Sequence, residues 1–274
     1  MTVPKQGVST CAIRACARPL LHNPPTLSPT DLSFRRSDKV WTKTAERPLR
    51  STGKAAAAWV MAHCLGVPVP WSAVRQASGA ELLAYEHERL QALARAGEQV
   101  PPVLAFDGQR LALGDVGPTV DECLQRLPAD DHLALMCAVS ADLARFHARG
   151  HWHGGAQIRN VTWDGLHFAR LDFEERLFPG MALHACQIYD VLQMVLSLAR
   201  WLQPLGPQAV LAILSAYEAE DPALDLRGFL RRLLPRLQLV SRLAAWVPRY
   251  DRSKELLRLR ILLAGMQGFV AHQA

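Results

Sequence analysis

Two side chains twelve residues apart, Asn160 and Asp172, are the first in this chain whose types and spacing suggest chemistry. Both offer oxygen donors, the kind of ligand that magnesium takes beside phosphate and water. The turn signal Asp164-Gly165 lies between them and would fold two short strands back on each other, returning both donors to one place. Upstream, Lys43 ends the strand-like run "VWTK", and Glu86 lies on a later helical segment where its carboxylate can pair with that ammonium. A lysine on the phosphates, a group that holds it and ligands for magnesium are what phosphoryl transfer asks of a protein, because positioning and charge compensation do most of the work.

Taken singly, these residues have plainer readings. Lys43 alone is a solvated strand lysine. Glu86 alone is an acid on an exposed helix face, with Glu88 beside it. Asn160 alone is a turn residue. Asp172 is harder to dismiss: it sits between Leu171 and Phe173 in an apolar strand, where an unpaired carboxylate is costly.

The elements that must position these groups follow from pattern. Residues 36–75 give the strand "KVWTKTA" and the apolar helix "KAAAAWVMAHCLG", closed by Gly66. In "GAELLAYEHERLQALARAG", Leu82, Leu83, Glu86, Leu90 and Leu93 recur at helical spacing, and Gly97 supplies a C-terminal cap. Two short strands, "VPPVLAFDG" and "RLALGDVG", flank a turn at Asp107-Gly108. The amphipathic helix "DHLALMCAVSADLARFHARG" ends at Gly150, and the strands "NVTWDG" and "HFARLDFE" come next. After 183 the chain is almost all helix. The expected class is α+β: a small sheet-plus-helix part over 36–117 and a larger helical part over 118–274, two lobes sharing a cleft. Residues 1–35, with four basic side chains, one acid and several prolines, read as a disordered basic leader.

Composition narrows the surroundings. The chain has 274 residues and is half hydrophobic, enough for one large domain or two intimate lobes. Its formal charge of +6 favours anionic partners without choosing among them. The six cysteines form no CxxC pair and no His cluster has zinc spacing, so buried free thiols in a reducing cytosol are expected. No apolar run approaches the roughly 18 residues of a membrane span.

The order of these pieces resembles the protein-kinase-like superfamily, most closely the bacterial lipopolysaccharide kinases of the Kdo and heptose type and small atypical bacterial kinases. The similar pieces run from about Lys39 to Asp190. "VWTK" looks like the strand of the phosphate lysine, Lys43, and "YEHERLQAL" like the helix of its partner, Glu86. "LALGDVG" is similar to the hinge that meets adenine, at Leu113, Asp115 and Gly117. "HGGAQIRN" resembles the catalytic loop, with His153 at its head and Asn160 as a metal ligand. "LDFEE" resembles the metal motif, with Asp172 first. Asp190 in "QIYDVLQ" resembles the residue that buttresses the catalytic loop. The resemblance implies ATP and Mg2+ as cofactors and, as acceptor, a hydroxyl of a sugar or glycolipid.

Two departures matter. The catalytic acid of that loop is replaced by Gly155. Loss of a general base costs ~10²–10⁴-fold in rate, so activity need not vanish. His153, Gln157 or a water would then share its task; the plainer reading is that Gly155 permits an unusual backbone turn. The Gly-rich loop before Lys43 is also missing, leaving Arg35, Arg36 and Lys39 to supply charge. Glu174 stands where that metal motif has glycine.

The C-terminal stretch interleaves Arg227, Arg231, Arg232, Arg236 and Arg242 with leucines and Trp246. One reading is a helix that docks on anionic lipid, placing a cytoplasmic protein peripherally at the inner face of the membrane. The other is a core helix with a wet basic face. No aromatic-basic motif points to nucleic acid. Three functions compete: a phosphotransferase, with protein Ser/Thr as a weaker acceptor; a pseudokinase that serves as nucleotide-binding or regulatory scaffold; and a helical interaction protein.

Overall fold

Strand β1 (Val40–Thr44) opens the part of the chain that positions the site. The computed structural model describes residues 39–45, 78–176, 180–246 and 253–272, with Ala56, Trp59, His63, Pro70 and Trp71 as single positions between. The expected leader over 1–35 and nearly all of the expected helix ending at Gly66 lie outside the described residues.

Helix α1 (Gly79–Arg95) begins at a reciprocal cap. Ser78 Oγ accepts the Glu81 N–H at 3.2 Å, and the Glu81 carboxylate accepts the Ser78 N–H at 2.9 Å. Two amides that the first turn would leave without partners are thereby satisfied. Its buried stripe is Leu83, Glu86, Leu90 and Leu93, so the acid lies among core leucines at helical spacing. Strands β2 (Val103–Phe106) and β3 (Arg110–Gly114) follow, joined where Asp107 Oδ1 accepts the amides of Gln109 and Arg110. The sheet is antiparallel in the order β1-β3-β2, with Lys43 opposite Leu111.

A short helix α2 (Val120–Arg126) leads into α3 (Ala129–Ala148). A 3₁₀ turn at Ile158–Asn160 precedes the hairpin of β4 (Val161–Trp163) and β5 (Phe168–Arg170). Helices α4 (Leu183–Leu202), α5 (Pro207–Glu220), α6 (Leu226–Ala245) and α7 (Lys254–Ala271) complete the chain. The class is α+β, as expected. One apolar core runs from Leu83 on α1 through Met136 on α3 and Val195 on α4 to Phe269 on α7.

Cys123, Cys137 and Cys186 are buried free thiols. Among the described residues no helix is long and apolar enough to cross a membrane. On α6, Leu226, Leu230, Leu233 and Leu234 enter the core, while Leu239, Val240 and Leu243 are exposed. Arg227 is a packing residue: it binds the Glu218 carboxylate and the Phe269 and His272 carbonyls and stacks on the Phe269 ring.

Candidate functional site

The hairpin explains how two donors twelve residues apart in sequence come together. Leu171 N–H donates to the Asn160 carbonyl at 2.8 Å, adding one rung beyond the Val161–Arg170 pair. Gly165 turns the far end with φ 100°, and the Asp164 carboxylate accepts the Leu166 and His167 amides. The hairpin is itself fixed by backbone bonds from Trp163 N–H to Pro118 O (2.9 Å) and from Arg170 N–H to Gln99 O (3.1 Å). Asn160 and Asp172 therefore sit at its open end.

Asp172 is not in a strand. β5 stops at Arg170, and Asp172 adopts φ 67°, the one non-glycine in left-handed backbone among the described residues. Aspartate tolerates that region better than branched residues do, and such conformations concentrate where function fixes them. The cost expected of an apolar carboxylate is avoided, because its side chain is 39 % exposed and meets the Lys43 ammonium at 2.6 Å.

Lys43 is the hub. Its Nζ donates to both Glu86 oxygens at 2.7 Å, to Asp172 Oδ1 at 2.6 Å and to Glu174 Oε1 at 3.1 Å. Glu86 is fully buried and Lys43 nearly so, whereas Glu88 is exposed. Burial alone would lower the Lys43 pKa, but the carboxylates of Glu86, Asp172 and Glu174 outweigh it and hold the ammonium above the ordinary lysine range. Burial pushes the Glu86 carboxyl up, against the pull of Lys43. The solvated-lysine and exposed-acid readings of these two residues are thus set aside.

Leu113 is buried in β3 opposite Trp41. Asp115 Oδ1 accepts the Trp41 indole N–H at 3.3 Å, and Lys39 lies 3.6 Å over that ring. Gly117 turns with φ 98°, beside the Trp163 carbonyl. The segment that resembles a hinge is therefore tied to both β1 and the hairpin.

The His-Gly loop takes its shape from α4. The Asp190 carboxylate, fully buried, accepts the His153 N–H at 2.5 Å and the Gly154 N–H at 2.7 Å, and the His147 Nε2–H at 3.3 Å. One turn earlier, Gln187 donates to the His147 and His151 carbonyls at 2.9 and 3.0 Å. The glycine that backbone geometry requires is Gly154, with φ 95°; a Cβ there would meet Trp152 and Glu175 at 2.9 Å. Gly155 has no such conformation, and a Cβ on it would find only ordinary contacts from 3.6 Å outward. The reading that Gly155 permits an unusual turn is corrected: that role belongs to its neighbour.

Neither sequence candidate for a substitute base is free for that role. Gln157 donates its amide to Gln193 at 3.1 Å. His153 is buried, stacks on Phe173 at 4.5 Å, and accepts the Gly155 N–H at Nδ1 (3.1 Å), which assigns its ring proton to Nε2. Nε2 has no partner among the described residues. Burial pushes the His153 pKa down to about 4. The unfolded chain then binds more protons than the native one between pH 6.5 and about 4, so stability falls as pH drops through that window. At ~1.4 kcal/mol per pKa unit, the loss comes to about 3 kcal/mol. Urea unfolding at several pH values measures it, and His153→Asn, which keeps an acceptor near the Gly155 amide, should show a shallower acid slope. An unchanged slope would assign the acid sensitivity elsewhere.

Sequence reasoning missed Gln187, Glu175 and the role of Glu174 beside Lys43. Glu174 was visible in the text "LDFEE", but nothing local says that it folds back toward a lysine 131 residues away. The Glu86, Asp172 and Glu174 carboxylates have oxygens within 4.8 Å of one another, gathered around the Lys43 ammonium. No protein-family model matches the chain, and no curated protein matches it.

Proposed function

We propose that the chain is an ATP-dependent phosphotransferase of protein-kinase-like, two-lobed fold, with an N-terminal lobe over 36–117 and a helical C-terminal lobe over 118–274. The observation that carries this reading is the convergence of Glu86, 43 residues away, and Asp172, 129 residues away, on the Lys43 ammonium. In this reading Lys43, held by Glu86, binds the nucleotide phosphates. The backbone from Leu113 to Gly117 faces the base. Asn160 and Asp172 hold Mg2+, for which their oxygen chemistry fits. The metal, when bound, offsets the phosphate charge. The chain's own residues position the acceptor and take its proton.

By resemblance the acceptor is a hydroxyl of a sugar or glycolipid. The exposed Leu239, Val240 and Leu243 share α6 with the exposed Arg231, Arg232, Arg236 and Arg242. That combination suits contact with an anionic membrane and would bring a lipid-linked acceptor within reach. A second reading, a nucleotide-binding pseudokinase, is favoured by Gly155.

Calorimetry with Mg·ATP on wild type and Asp172→Ala tests the proposal. Loss of even outer partners of a metal ligand costs ~10–100-fold in affinity, so removing a direct ligand should weaken binding by about 100-fold or more. Folded wild type that binds no Mg·ATP would overturn the enzyme reading; binding without turnover would favour the pseudokinase.

A further inference from the structure

The side chain missing at position 155 leaves a space that another acid overhangs. A Cβ built on Gly155 would lie 3.9 Å from the Glu175 Cγ and 3.6 Å from the Asn160 amide nitrogen. A Cβ on Gly154 would strike the Glu175 Cβ at 2.9 Å. The Glu175 stem therefore runs across Gly154 and Gly155, partly exposed, three residues after Asp172. Its carboxylate carbon is one bond, about 1.5 Å, beyond that Cγ. An aspartate carboxylate at 155 would be one bond beyond the built Cβ, so the two carboxylates would spring from carbons 3.9 Å apart. Glu86, Asp172 and Glu174 all meet Lys43.

We propose that Glu175 is the general base of the reaction, its carboxylate taking the place of the absent side chain at 155; this rests on the phosphotransferase reading above. The acceptor oxygen attacks the γ-phosphorus and forms an O–P bond as the β–γ bridging O–P bond breaks. ADP leaves with that bond pair, and the acceptor's proton passes to the Glu175 carboxylate. Gly155 is then part of the arrangement rather than a lesion. A Cβ there would lie in ordinary van der Waals contact with the Glu175 stem and the Asn160 amide nitrogen.

The test uses the full chain, Mg·ATP and water as acceptor, with phosphate release as readout and calorimetry alongside. Glu175→Gln, which preserves the stem, is expected to lower kcat by ~10²–10⁴-fold, leave the KM for ATP unchanged and erase the acid limb of the pH–rate profile. Glu175→Asp should retain that limb on a shorter stem, and it also serves if Glu175→Gln does not fold. Adding Gly155→Asp to Glu175→Gln should restore turnover by at least about tenfold, an effect that mere packing by Glu175 would not produce. Wild-type turnover in Glu175→Gln overturns the proposal. So does wild type that binds Mg·ATP without turnover, particularly if Gly155→Asp alone then confers it. Absence of Mg·ATP binding by calorimetry instead overturns the phosphotransferase reading on which the proposal stands.

Discussion

Asp190→Ala should lower folding stability by about 3–5 kcal/mol, because it strips a buried loop of the acceptor that His153 and Gly154 share. Two backbone amides and the His147 ring all donate to this one carboxylate. Hydrogen bonds to an ionised group are worth ~1.5–3 kcal/mol each, and an amide left dry costs a similar amount. Alanine offers no acceptor, and Asp190 itself is fully buried, so bulk water does not replace it. Urea unfolding followed by circular dichroism measures the change. A loss under about 1 kcal/mol would mean that the loop keeps its shape through Gln187 and Arg89 alone; these bind the His147, His151 and Trp152 carbonyls.

Lys43→Met keeps the aliphatic stem and removes the charge. Glu86 then remains fully buried without its ammonium, near Asp172 and Glu174. Removing one partner of a buried ion pair costs ~3–5 kcal/mol. The pH dependence separates this from a packing effect. Burial already raises the Glu86 pKa, and losing Lys43 raises it further. A carboxyl whose folded pKa exceeds its unfolded value binds protons more tightly in the native state, so the native state gains as pH falls. The variant's deficit should therefore be largest near neutrality and shrink in mild acid, where Glu86 becomes neutral. An equal deficit in mild acid and at neutral pH would assign the loss to packing.

What could be read beforehand was local. The helical spacing of Leu82, Leu83, Glu86, Leu90 and Leu93 was legible; the helix forms there, with Leu83, Glu86, Leu90 and Leu93 buried and Leu82 only partly so. The turns at Asp107-Gly108 and Asp164-Gly165 were visible as residue pairs, and both glycines have positive φ. Every described helix after 183 matches an apolar pattern in the text. What failed depended on contacts that no window contains. The expected strand "HFARLDFE" stops at Arg170, four residues early, and Leu171 donates the last rung to the Asn160 carbonyl. Which of two adjacent glycines is required was invisible, since the obstacles to a Cβ at 154 come from Trp152 and from Glu175, 21 positions later in sequence. Asp190 was legible only through the resemblance, whereas Gln187 on the same helix carried no signal of its own.

The long span of the Lys43–Asp172 contact has a consequence for how the molecule assembles. The hairpin, α1 and the helices after 183 are local structures that can form within short stretches of chain. The ion pair, by contrast, closes a loop of 129 residues, and contacts of such separation repay their closure entropy only after the intervening pieces are in place. The hairpin likewise waits for Gln99 and Pro118 to arrive before its position is settled. The Lys43 cluster is therefore expected to form after most of the core, so that a chain with native helix content need not yet possess it.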